Sequence, residues 1–130
     1  KYLFVSNSED LNQLKVWMRA CYSQNFQDIN NQVEWFNSLS KIKKRTFLTY
    51  SLKLMREALV SSIDESLSKI SDEEMSFISN FRKTLKQKEF EKIIIIIDEN
   101  IRYLDRNANP KILFLDLSIK IANLFKKVKA

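Results

Sequence analysis

A chain of 130 residues suits one domain, and an apolar content of 45% argues against intrinsic disorder. Its formal charge is +6, and it contains no Gly, no His, one Cys and one Pro. Without Gly there is no P-loop, dinucleotide fingerprint, nucleophile elbow or EF-hand loop; without His there is no Ser-His or Cys-His pair and no usual zinc ligand.

With these breakers missing, helix is the default, and apolar spacing supports it along the chain. The first helix is predicted near Glu9 to Tyr22, with Ser8 as cap and Leu11, Leu14, Met18 and Cys21 as its stripe. The second runs near Asp28 to Leu39, with Ile29, Val33 and Phe36 on one face. Ser40 caps a third helix that continues to about Glu65. That helix carries two adjacent stripes, Phe47, Tyr50, Leu54 and Ala58 beside Leu48, Leu52, Met55 and Leu59, as expected of a central element. A fourth helix starts after Ser71 and carries Met75, Ile78, Phe81 and Leu85; Ser71 and Glu74 have capping-box spacing.

The fifth helix is predicted near Lys88 to Arg106. The run Ile93 to Ile97 alone suits a buried strand, but Phe90, Ile93, Ile97, Ile101 and Leu104 are spaced by three or four, which decides for helix. Ile95 and Ile96 fall outside that stripe. The helix is therefore either buried on two sides within the domain or meets another chain on one of them. The sixth helix begins at Pro110 with Asn109 as its cap, and both are read as structural. Phe114, Leu117, Ile121, Leu124 and Val128 form its stripe. The expected fold is all-α, a bundle of five to six helices in one domain over residues 1–130, with short polar connections.

Few groups suggest chemistry. Cys21 lies in an apolar stretch and reads as a small core residue; a lone cysteine and the absence of a signal peptide fit a cytoplasmic protein. Asp72, Glu73 and Glu74 read as a helix N-terminus favoured by the macrodipole, and Asp98 with Glu99 as a wet helix face. An enzyme built on these carboxylates ranks far below a binding role, and no cofactor, metal or small-molecule substrate is expected. No stretch is long and apolar enough to span a bilayer. Basic clusters lie at Lys41, Lys43, Lys44 and Arg45, at Arg82, Lys83, Lys86 and Lys88, and at Lys126, Lys127 and Lys129. The first sits where the helix macrodipole disfavours cations, which suggests phosphate contact by Lys41, Lys43, Lys44 and Arg45 in a basic nucleic-acid-binding module; the alternative is a solvated face.

Three segments carry a resemblance: VWMRACYSQNF at Val16 to Phe26, RTFLTYSLKLMREAL at Arg45 to Leu59, and YLDRNANPKILFLDLSIKI at Tyr103 to Ile121. Together they resemble the C-terminal domain of a bacterial DNA polymerase III delta-prime subunit, a clamp-loader component, in its Bacteroidetes-type form. The likeness covers nearly the whole chain from about Ser8. It implies a fragment of a longer protein whose AAA+ module is absent, an expectation that the start at Lys1 also suggests. Such domains pack side by side into a collar that holds the loader pentamer together for sliding-clamp loading in DNA replication. The resemblance implies a non-catalytic domain within a DNA-directed DNA polymerase holoenzyme. Its partners would be the delta and gamma/tau subunits, with DNA reached only through the full complex and no membrane contact. The equivalent domain of delta or gamma/tau is the alternative within the family. On this reading Ile95 and Ile96 are subunit-contact residues.

Overall fold

Local caps set most of the helix starts. The computed structural model describes residues 7–64 and 69–129. Among them the chain forms six helices and no strand: α1 (Asn7–Ser23), α2 (Phe26–Ser38), α3 (Lys41–Ile63), α4 (Asp72–Arg82), α5 (Gln87–Asp105) and α6 (Pro110–Lys129). The all-α bundle expected from the sequence is therefore the observed fold. Ser40 Oγ accepts from Lys43 N at 3.2 Å, and Asn109 Oδ1 accepts from Ile112 N at 3.1 Å ahead of Pro110. Ser71 and Glu74 form the reciprocal capping box, at 3.1 and 3.0 Å.

Two starts differ from expectation. α1 begins at Asn7, so Ser8 lies inside its first turn and is not the cap. α2 begins at Phe26, two residues early, because Asn25 Oδ1 accepts from both Gln27 N and Asp28 N. That leaves Asp28 in the first turn, where the macrodipole favours it. The predicted end of α3 at Glu65 lies outside the described residues.

A Gly-free chain still has to close its turns. Gln24 and Asn107 take the left-handed conformation, with φ of 59° and 63°. Asn tolerates this region better than most residues. Gln24 holds its place by donating Nε2–H to the Ala122 carbonyl at 3.2 Å.

Packing follows the stripes. α3 runs along α5, and α6 packs on α1, α2 and α5, while α4 sits on α3. Both stripes of α3 are buried except Leu59, which is half-buried. Trp17, Phe36, Phe47 and Phe114 form an aromatic centre where α1, α2, α3 and α6 converge. Phe114 stacks on Phe36 at 4.0 Å and on Trp17 at 4.8 Å, and Phe47 lies 5.7 Å from Trp17. Trp17 Nε1 donates to Ser118 Oγ at 2.8 Å, and that hydroxyl donates to the Phe114 carbonyl. The buried indole N–H is thereby satisfied. The α6 stripe departs from expectation at its end: Phe125 is buried, Leu124 is half-buried and Val128 is 37% exposed. The i, i+3, i+7, i+11 series from Phe114 leads to Phe125, so the inward face passes through Phe125 and not Leu124.

Truncating this centre and removing a cap should differ clearly in urea denaturation. Phe114→Ala is expected to cost about 3–5 kcal/mol, and Asn109→Ala about 1 kcal/mol.

Candidate interaction surface

Five consecutive isoleucines wind more than once around α5. Ile93 and Ile97 are fully buried in the core, and Ile94 and Ile96 are half-buried against it. Ile95 is 56% exposed. The two residues nominated together by sequence are thus different: Ile96 serves the core in part, and Ile95 faces out. Both line a groove of about 310 Å³ between α5 and α6, completed by Leu124, Asn123, Lys92 and Lys120. Lys120 is paired along α6 with Asp116 at 2.9 Å; that hydrogen bond raises its pKa. Asn100, buried on α5, donates to the Leu113 carbonyl at 3.0 Å and helps fix α6 beside α5. The groove is therefore a fixed apolar trough between two mutually anchored helices, with lysines at its edge. Tyr103 on α5 and Ile112 and Ile119 on α6 add further exposed apolar surface to this helix pair.

The basic residues at the start of α3 have a different setting. Lys44 is buried, and its Nζ donates to the Asn37 carbonyl at 3.2 Å and to the Leu39 carbonyl, closing the C-terminus of α2. Arg45 makes a two-pronged contact with Asp105 at the end of α5, Nε to Oδ1 at 2.9 Å and Nη2 to Oδ2 at 3.1 Å. Lys41 Nζ donates to Asn107 Oδ1 at 2.8 Å in the following turn. These cations sit at the start of their own helix but at the ends of two others, where the macrodipole favours them. Lys43 is exposed and takes part in none of these contacts.

The carboxylate groups are dispersed among structural contacts. Glu74 is buried, accepting from Ser71 N and from Tyr50 Oη, the latter at 2.6 Å. Burial and then this hydrogen bond raise the pKa of the Tyr50 phenol. Glu73 faces Lys15 at 3.9 Å, and Asp98 pairs with Arg102 one turn on. No group of three His, Cys, Asp or Glu side chains is placed to hold a metal ion among the described residues. Burial pushes the Cys21 thiol up to about 12, and it donates weakly to the Ser118 carbonyl at 3.6 Å. No protein-family model, curated protein or solved structure matches this chain. Among the described residues no helix is long and apolar enough to cross a membrane.

Sequence periodicity singled out Ile95 and Ile96 but not the α6 side of the groove. Leu124 had the spacing of a core residue, and Lys120 gave no signal. The Tyr50–Glu74 contact joins residues 24 apart, and only the three-dimensional packing brings them together.

Two tests follow from the cation contacts. Lys44→Met keeps the buried stem but strips two charge-assisted hydrogen bonds, and should cost about 1.5–3 kcal/mol in chemical denaturation. Asp105 is held below the usual carboxylate range, first by its hydrogen bond to Arg45. Its folded pKa is lower than its unfolded one, so its stabilising effect is complete above the ordinary carboxylate pKa. It is lost as pH falls through the depressed value. Asp105→Asn should therefore flatten part of the acid limb of the stability-pH curve, and added salt should shrink the difference.

Proposed function

We propose that this chain is a non-catalytic oligomerisation domain: the collar domain of a clamp-loader subunit of the delta-prime type. In this role it holds the loader pentamer together while the sliding clamp is placed on DNA. The sequence likeness at Val16–Phe26, Arg45–Leu59 and Tyr103–Ile121 supports the family, and the all-α bundle is compatible with it. The observation that carries an assembly role is the α5/α6 groove, where Ile95 stands 56% exposed between apolar neighbours on two anchored helices. A rigid apolar trough of this kind is suited to a packed subunit contact, in which a small buried anchor supplies most of the binding energy. The delta and gamma/tau subunits are the partners this reading requires, and nucleotide chemistry belongs to the AAA+ part of the same protein. A phosphate-binding role for Lys41, Lys43, Lys44 and Arg45 draws less support, because all of them but Lys43 are engaged with another helix end.

Ile95→Glu should leave the helix content and melting temperature of the isolated chain nearly unchanged, yet weaken co-purification with the delta and gamma/tau subunits by about 30-fold or more. Ile96→Glu should also lower stability, because half of that side chain rests on the core. Undiminished assembly by Ile95→Glu would remove the groove from the interface and with it the main support for this reading.

A further inference from the structure

A second cleft, of about 400 Å³, opens between α1 and α4. Tyr22 on α1 and Phe77 on α4 line it from two sides, the buried rings of Phe81 and Phe125 form its floor, and Lys15 and Arg19 stand along its α1 wall. The rings brace one another. Tyr22 meets Phe125 edge-on at 5.4 Å, Phe77 stacks on Phe81 at 5.5 Å, and Phe81 meets Phe125 at 5.6 Å. Tyr22 is nonetheless 44% exposed. An aromatic ring is thus presented to solvent already ordered, so a stacking partner need not meet the entropy of fixing it.

The same ring junction gathers charge. Phe81 also contacts Phe90 edge-on at 5.4 Å, which brings the ends of α4 and α6 and the start of α5 to one pole of the bundle. Lys83 lies two residues after Phe81, Lys86 and Lys88 precede Phe90 by about one turn and half a turn, and Lys126 and Lys127 follow Phe125. All five are exposed, and none has an ion-pair partner among the described residues; the same holds for Arg19. The nearby carboxylates are fewer: Glu73 faces Lys15 of the cleft wall at 3.9 Å, Glu89 accepts from Lys86 N–H at 3.0 Å and Glu91 from Gln87 Nε2 at 3.2 Å. Helix stabilisation accounts for Lys126 and Lys127 at the end of α6. It does not account for Lys86 and Lys88 at the start of α5, where the macrodipole works against them.

We infer that this pole binds single-stranded nucleic acid, its bases stacking against Tyr22 and Phe77 in the cleft and its phosphates lying along Arg19, Lys83, Lys86, Lys88, Lys126 and Lys127. Free cations alone suit any polyanion. The aromatic cleft beside them selects one whose repeat offers both a phosphate and an open π-face. A duplex keeps its base faces stacked inside, and an acidic peptide has charge without a regular supply of rings. The site shares no residue with the α5/α6 groove, so its failure would leave the collar reading standing.

The test is fluorescence anisotropy of the 130-residue chain with a labelled oligothymidylate of about 20 nucleotides, alongside a duplex of equal length and polyglutamate. Single-strand binding should weaken linearly in log–log plots against salt. Lys126→Ala with Lys127→Ala should flatten that slope by about 1.4. Tyr22→Leu should weaken binding on the order of 5- to 100-fold at unchanged slope, with circular dichroism confirming its helix content; Phe77→Leu gives the same readout should Tyr22→Leu misfold. The inference is overturned by absence of binding at low salt, by oligonucleotide affinity indifferent to both ring substitutions, or by duplex or polyglutamate binding as tight as the single strand's.

Discussion

The Phe36–Phe114–Trp17 stack is the constraint from which the rest of the arrangement follows. It ties α2, α6 and α1 together at ring separations of 4.0 and 4.8 Å. The Trp17–Ser118 hydrogen bond fixes the rotation of α6 about its own axis. Once that rotation is set, Leu117, Ile121 and Phe125 must face inward with Phe114. Leu124, about 100° round the helix from Phe125, is then turned towards α5 and the surface. The groove is thus a consequence of how the aromatic centre orients α6, and it inherits the rigidity of the core.

A second constraint comes from the missing glycines. Helices commonly end on a Gly that accepts the left-handed conformation while their last carbonyls find partners. Here those tasks are divided. Gln24 and Asn107 supply the backbone turns. The Lys44 amine reaches back to the carbonyls that α2 leaves open, and Arg45 neutralises Asp105, an acidic residue placed where the α5 dipole opposes it. A basic cluster that looks unfavourable on its own helix becomes favourable when the ends of neighbouring helices are brought to it. At the pole around Phe81, Phe90 and Phe125, Arg82 donates to Ser61 Oγ at 3.2 Å in the last turn of α3, whereas Lys83, Lys86, Lys88, Lys126 and Lys127 have no ion-pair partner among the described residues. That contrast separates cations used by the fold from cations it does not pair.

Much of the fold was legible in the sequence because apolar periodicity reports burial directly. The stripes of α1, α2, α3 and α5 match the buried side chains apart from the half-buried Leu59, and Asn109, Ser40 and Ser71 cap the helices they precede. Legibility ended where a residue acts through a partner distant in the chain. Asn25 was not read as a cap because the apolar pattern of α2 begins later than its hydrogen-bonded turns. The destinations of Lys44 and Arg45, like the meeting of Tyr22, Phe77 and Phe125, depend on packing angles that no local pattern encodes. Ile95 and Ile96 were rightly separated from the main stripe, but their different burial requires the position of α6.

The remaining question about α5 is why Ile95 is apolar at all. Consecutive helical residues are about 100° apart, so five of them pass through more than a full circle and at least one must face away from the core. The fold needs Ile93 and Ile97, and it uses Ile94 and Ile96 in part. Nothing in the core uses the outer side of Ile95, where a Lys or Glu has the better helix propensity and greater solubility. A single exposed apolar residue is ordinary; this one continues into Ile96 and Leu124 across a fixed groove. On the proposed collar reading, the demand for an apolar side chain at this position arises outside the bundle, from the subunit that would seat itself between α5 and α6.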